Sequence, residues 1–273
     1  MKMRTLFNQS ALAFTVLLAC SMTAAAQSGI QNTDDKINIG PGGPAPARDL
    51  NGTWVGPLPG KTAADIPQLT PLGQQRFSLN KPEAKFKVSG TNDPFVRMCD
   101  PLGFPRGMLF EMRSVPLGEL LGMTFASLPE RVLLLSQFQR VWREIWTDGR
   151  ELPTNVGTRQ KGAPDPRYYG YSVGHWEADD IFVVDTAGLD DSTWLNKAGY
   201  PHTVESRVQE RYTRLDHNDL QLTITVDDPK LYTKPFVLAS IGFKWLPDQN
   251  LGEQLCIPSQ VMEYLRIIGD PAK

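Results

Sequence analysis

Histidine and cysteine are scarce in this chain of 273 residues, three of each. No Cys-x-x-Cys or His-x-x-x-His spacing occurs, so a structural zinc site is not expected. No other metal or cofactor is assigned either. A charge of one sign is missing too. Lys and Arg number 28 against 30 Asp and Glu, a formal net charge of −2, with a pI near 6.0. A protein that neutralises phosphates needs a basic face, so nucleic acid is set aside as a partner. Long apolar runs are absent as well. Residues 11–20 (ALAFTVLLAC) form a run of about ten, half the length a helix needs to cross a bilayer. No membrane span is expected. Neither a serine-hydrolase elbow nor a phosphate loop is expected. Gly40-Pro41-Gly42-Gly43 has no helix after it and no lysine.

What is present at the start of the chain reads as an export signal. Lys2 and Arg4 give a positive beginning, residues 11–20 an apolar stretch, and Ala24-Ala25-Ala26 an A-x-A exit. Residues 1–26 are therefore expected to be a cleaved signal peptide, with Gln27 the mature N-terminus and the protein periplasmic or extracellular. Residues 17–20 loosely resemble a lipobox, so lipidation at Cys20 is the lesser alternative. Export would leave Cys99 and Cys256 in an oxidising compartment, where pairing is expected.

Residues 27–48 are polar and rich in Gly and Pro, and read as a flexible leader. A single domain is expected over 49–273. A first strand is predicted at 51–56. Thr70-Pro71 predicts a capped helix over 71–79. Residues 81–107 read as an irregular excursion. Strand signals then dominate: 119–125, one long strand over 131–146, and an Asp148-Gly149 hairpin turn. Strands follow at 168–176, 181–186, 208–215, 220–227 and 236–245. Ser259 is read as the cap of a final helix that Gly269 would end. Many short antiparallel strands must hide their edges, and closure does this directly. The expected fold is mainly β: an antiparallel barrel or strongly curved sheet with short N-terminal and C-terminal helices, or else a β-sandwich.

Gly52-Thr53-Trp54 resembles the G-x-W opening of lipocalins and other calycins. Residues 165–235, with DPRYYGYSVGHWEADDIFVVDT, DDSTWLNKAGYPH, ERYTRLD and DDPKLYTKP, are similar to an uncharacterised family of secreted proteins of soil bacteria. The likeness extends back to residues 99–106 and 148–150. It implies a calycin-like barrel and no assigned catalytic residues.

Period-two alternation over 131–146 puts Val132, Leu134, Ser136, Phe138, Arg140, Trp142, Glu144 and Trp146 on one face. That face changes from aliphatic to aromatic and charged, as a barrel interior would if it opened into a binding mouth. Phe138, Trp142, Trp146, Tyr169, Tyr171 and Trp194 are the expected ligand walls. His202 beside Asp190 and Asp191, together with Glu144 and Glu210, is the candidate acid–base set. Glu210 shares a strand face with Val208, Tyr212 and Arg214, and a salt bridge is its other reading. Arg140 or Arg143 would stabilise a developing anion. The function expected first is a cofactor-free hydrolase or lyase acting on a small aromatic molecule, such as a lignin-derived aryl ether. The alternative is a lipocalin-like binder of apolar small molecules.

Overall fold

The computed structural model describes residues 40, 42–58, 66–109 and 121–268. The expected signal peptide and Gly269 lie outside them. No described helix is long and apolar enough to cross a membrane.

Nine strands close into a barrel in chain order. They are β1 (Gly52–Leu58), β2 (Leu121–Leu128), β3 (Arg131–Ser136), β4 (Trp142–Trp146) and β5 (Tyr171–Ala178). Then come β6 (Ile181–Ala187), β7 (Arg207–Arg214), β8 (Asp219–Asp227) and β9 (Phe236–Trp245). Closure excludes the sandwich alternative. Alternation drives it, most clearly in β8. Leu220, Leu222, Ile224 and Val226 are buried, with Gln221, Thr223 and Thr225 between them. Each such buried aliphatic contributes about 1.5–3 kcal/mol. The Trp54 indole N–H donates to Leu50 O at 2.8 Å, and the Arg214 guanidinium lies 5.0 Å from that ring.

A closed barrel with an odd number of strands cannot be antiparallel throughout. Here β4 and β5 are the parallel pair, and residues 147–170 make the return that a parallel connection needs. Two sequence expectations fall with this. Asp148-Gly149 does not turn a hairpin; it forms a bend in which Asp148 holds Arg150. Nor is 131–146 one strand. It is the β3–β4 hairpin, in which Arg131 pairs with Trp146 and Leu135 with Trp142. Even-numbered residues of β3 therefore face the same way as odd-numbered residues of β4. Val132, Leu134, Arg143 and Ile145 are buried, whereas Trp142 is 64% exposed. Gln139 and Arg140 make the reversal with positive φ.

The excursion over 81–107 is more regular than its composition suggests. It follows α1 (Pro71–Leu79) and contains α2 (Glu83–Gly90) and α3 (Pro94–Met98), then a 3₁₀ turn at Arg106–Leu109. Thr70 caps α1, accepting from Gly73 N at 3.1 Å. Leu102, Phe104 and Met108 join Phe125, Phe182 and Tyr212 in one core, so this segment fills the barrel rather than covering a hollow. Arg106 and Asp93, both buried, bind through two bonds of 3.0 and 2.6 Å.

Cys99 and Cys256 form a disulfide. It joins the end of α3 to the chain entering α4 (Pro258–Ile267). Ser259 does not cap α4; Pro258 occupies its first turn and Ile257 the cap position. Part of the segment read as a leader is described, and it touches the barrel. Gly40 O and Gly43 O accept from Asn218 and His217 of the β7–β8 turn, and Arg48 pairs with Asp179.

Candidate functional site

The parallel seam is the thinnest join in the barrel. Only Ile145–Ser172 and Trp146–Val173 are in register between β4 and β5, against eight pairs between β7 and β8. Beside it opens a cleft of about 630 Å³. Its outer wall carries Trp142 and Trp146 from β4, and Tyr168, Tyr169 and Tyr171 from the chain entering β5. Trp146 is fixed by two guanidinium groups, Arg131 at 4.8 Å and Arg150 at 3.4 Å from the ring. Both cations are neutralised in turn, Arg131 by Glu144 and Arg150 by Asp148. Arg167 lies 4.3 Å from the Tyr171 ring, whose hydroxyl donates to Asp165 O at 2.8 Å.

Arg143 and Ser172 line the cleft from the barrel interior. Arg143 reaches across to β7 and donates to both oxygens of Glu210, at 3.0 and 2.9 Å. It also donates to Ser172 and Thr186, and Tyr212 donates to Glu210 at 2.6 Å. Burial alone would lower the Arg143 pKa, but the Glu210 charge and hydrogen bonds outweigh it and hold it above the usual value. Burial and the Glu210 charge push the Tyr212 phenol far up. The salt-bridge reading of Glu210 thus has its partner in Arg143, 67 positions away. Gly174 lets Phe182 and Ile145 pack directly onto β5, because a Cβ there would meet them at 2.5 and 2.8 Å. Tyr169 packs beside Gly107, and burial raises its phenol to about 12, against the opposing charge of Arg143.

The remaining expected site residues lie elsewhere. His202 is fully buried, with Nε2 2.8 Å from Thr193 Oγ1 and Nδ1 3.3 Å from Thr203 O. Burial lowers its pKa below 6.5 despite the carboxylates around it. Asp191 pairs with Arg76 at the surface. Trp194 is buried with Arg106 5.6 Å from its ring. Phe138 is buried edge-on against Phe95. Arg140, exposed at the β3–β4 turn, lines a separate polar groove of about 310 Å³ with Thr53 and Thr124. The face expected to unite Phe138, Arg140, Trp142, Glu144 and Trp146 is therefore divided by the hairpin. Trp142, Glu144, Trp146, Arg143, Tyr169 and Tyr171 do share the cleft.

Sequence reasoning also passed over a motif. Gly170-Tyr171-Ser172-Val173-Gly174 has the G-x-S-x-G spacing. Such a serine acts from a sharp strand-to-helix turn beside a histidine. Ser172 instead sits inside β5, buried and bonded to Thr186 and Arg143. Its spacing coincides with that of an elbow without the geometry. Among the described residues no group of three His, Cys, Asp or Glu is placed to hold a metal ion. Compared with known proteins, the chain matches no family model, no curated protein and no solved structure.

Proposed function

We propose that this protein binds small flat aromatic molecules in the cleft beside the β4–β5 seam, without turning them over. The carrying observation is the aromatic lining from Trp142, Trp146, Tyr169 and Tyr171 around about 630 Å³, a size suited to a small ligand. The disulfide fits an oxidising compartment, and export belongs to the same proposal.

The enzyme reading needs two titrating groups within reach of one bound molecule. Glu144 lines the cleft but is held by Arg131. Glu210 is held twice by Arg143 and once by Tyr212. His202 is enclosed by Thr193 and Thr203, and Asp191 is engaged by Arg76. This dispersal of the acid–base set favours binding over hydrolysis or elimination.

Titrating the protein with 2-naphthol and with benzyl phenyl ether, followed by tryptophan fluorescence, tests the proposal. Saturable quenching is expected. Trp142→Ala should weaken binding about three- to tenfold, the worth of one aromatic contact. No quenching, or unchanged affinity in Trp142→Ala and Trp146→Ala, would overturn the assignment. Cleavage products in the ether sample that vanish with Glu144→Gln would restore the enzyme.

A further inference from the structure

Most charges around the cleft are already paired. Arg131 holds Glu144, Arg150 holds Asp148, and Arg143 holds Glu210. Arg167 and Tyr169 are two of the lining donors left without a partner among the described residues. The Arg167 guanidinium has no carboxylate partner among the described residues, although it is stacked on Tyr171. Its backbone is pinned on both sides: Arg167 N donates to Gly188 O at 3.0 Å, and Arg167 O accepts from Asp190 N at 2.9 Å. The charge is therefore presented from a fixed place. The Tyr169 hydroxyl has no hydrogen-bond partner among the described residues either, while its ring is partly buried against the core. It remains a protonated donor at physiological pH, since burial raises it. Among the described residues Glu151 is the one unpaired carboxylate of the cleft, exposed at its rim, which disfavours a second negative charge on a ligand.

Resting on the aromatic-binding reading, we infer that the cleft selects monoanionic aromatic carboxylates. The ring lies against Trp142 and Trp146, and the carboxylate accepts from the Tyr169 hydroxyl and the Arg167 guanidinium. Hydrogen bonds to a charged group are stronger than neutral ones, and a guanidinium suits the planar carboxylate.

The test compares 2-naphthoate with 2-naphthamide, which matches its shape without the charge, on the full chain at neutral pH. Naphthoate should bind about tenfold tighter or more. Arg167→Met and Tyr169→Phe should each erase most of that preference, lowering naphthoate affinity much more than naphthamide affinity. Both variants keep the fold testable, because Arg167 is exposed and Tyr169→Phe removes only the hydroxyl. Equal affinity for the two compounds overturns the carboxylate inference and leaves the aromatic reading standing. A preference that survives both variants overturns the roles of Arg167 and Tyr169. Binding of neither compound overturns the aromatic reading, and this inference with it.

Discussion

At His202 the hydrogen bonds outnumber the protons of a neutral ring. Thr193 Oγ1 donates to Asp190 O at 3.0 Å and also meets His202 Nε2. Nδ1 faces a second carbonyl, Thr203 O. One hydroxyl and one imidazole N–H supply two protons for three contacts. Burial nonetheless lowers the pKa, so the ring is neutral in the folded state at pH 7. An unfolded chain takes up a proton near pH 6.5 that the native state refuses. Between the lowered native pKa and 6.5 the unfolded state binds more protons, so stability rises with pH across that window. Above it, His202 contributes no slope. Urea midpoints at about pH 5.5 and about pH 7.5 should therefore differ more for the natural chain than for His202→Gln. Equal differences would show that His202 does not set this dependence. None of this burial was legible in the sequence, where a histidine near Asp190, Asp191 and Trp194 in a polar connection looks like a mouth residue. The carboxylates are indeed near enough to act on its charge, but Asp191 stays at the surface with Arg76 while the His202 ring is enclosed.

At the scale of elements, the parallel seam and the hairpin before it decide where the cleft lies. Strand alternation within β3 and β4 was readable, and Trp142, Glu144 and Trp146 do share a face. The reversal at Gln139 and Arg140 was not, because neither is glycine and no common turn dipeptide marks it. Missing that reversal inverted the assignment of β4, since an odd register sum exchanges the two faces. Hence Arg143, placed on the outer face by the single-strand reading, is the residue inside. With two residue pairs in register, the seam should open more cheaply than β7 and β8. Native-state hydrogen exchange checks this: amides of β4 and the start of β5 should lose protection at lower opening energy than those of β7 and β8. Matching protection across all four strands would mean that the seam is as firm as the rest of the barrel.

At the scale of the whole molecule, the disulfide clasps a barrel whose closure depends on β1 meeting β9. Cys99 and Cys256 are separated by 157 positions, and a crosslink over so long a loop removes much of the unfolded chain's freedom. Replacing both by serine should cost about 2–5 kcal/mol, measured by urea unfolding without reductant. A loss below about 0.5 kcal/mol would show that the strands and the segment containing Phe104 hold the ends together unaided.

By itself the sequence determined what short-range chemistry can carry. The meander from β5 to β9, the Thr70 cap of α1 and a mainly β chain in need of closure all follow from alternation, turn residues and one hydroxyl in the right place. Tertiary structure alone decided the parallel seam, the pairing of Arg143 with Glu210, the filling of the barrel by Phe104 and the enclosure of His202. Each of these joins residues that no local period relates. They are settled only when nine strands meet edge to edge and every buried charge must find its partner in the space that remains.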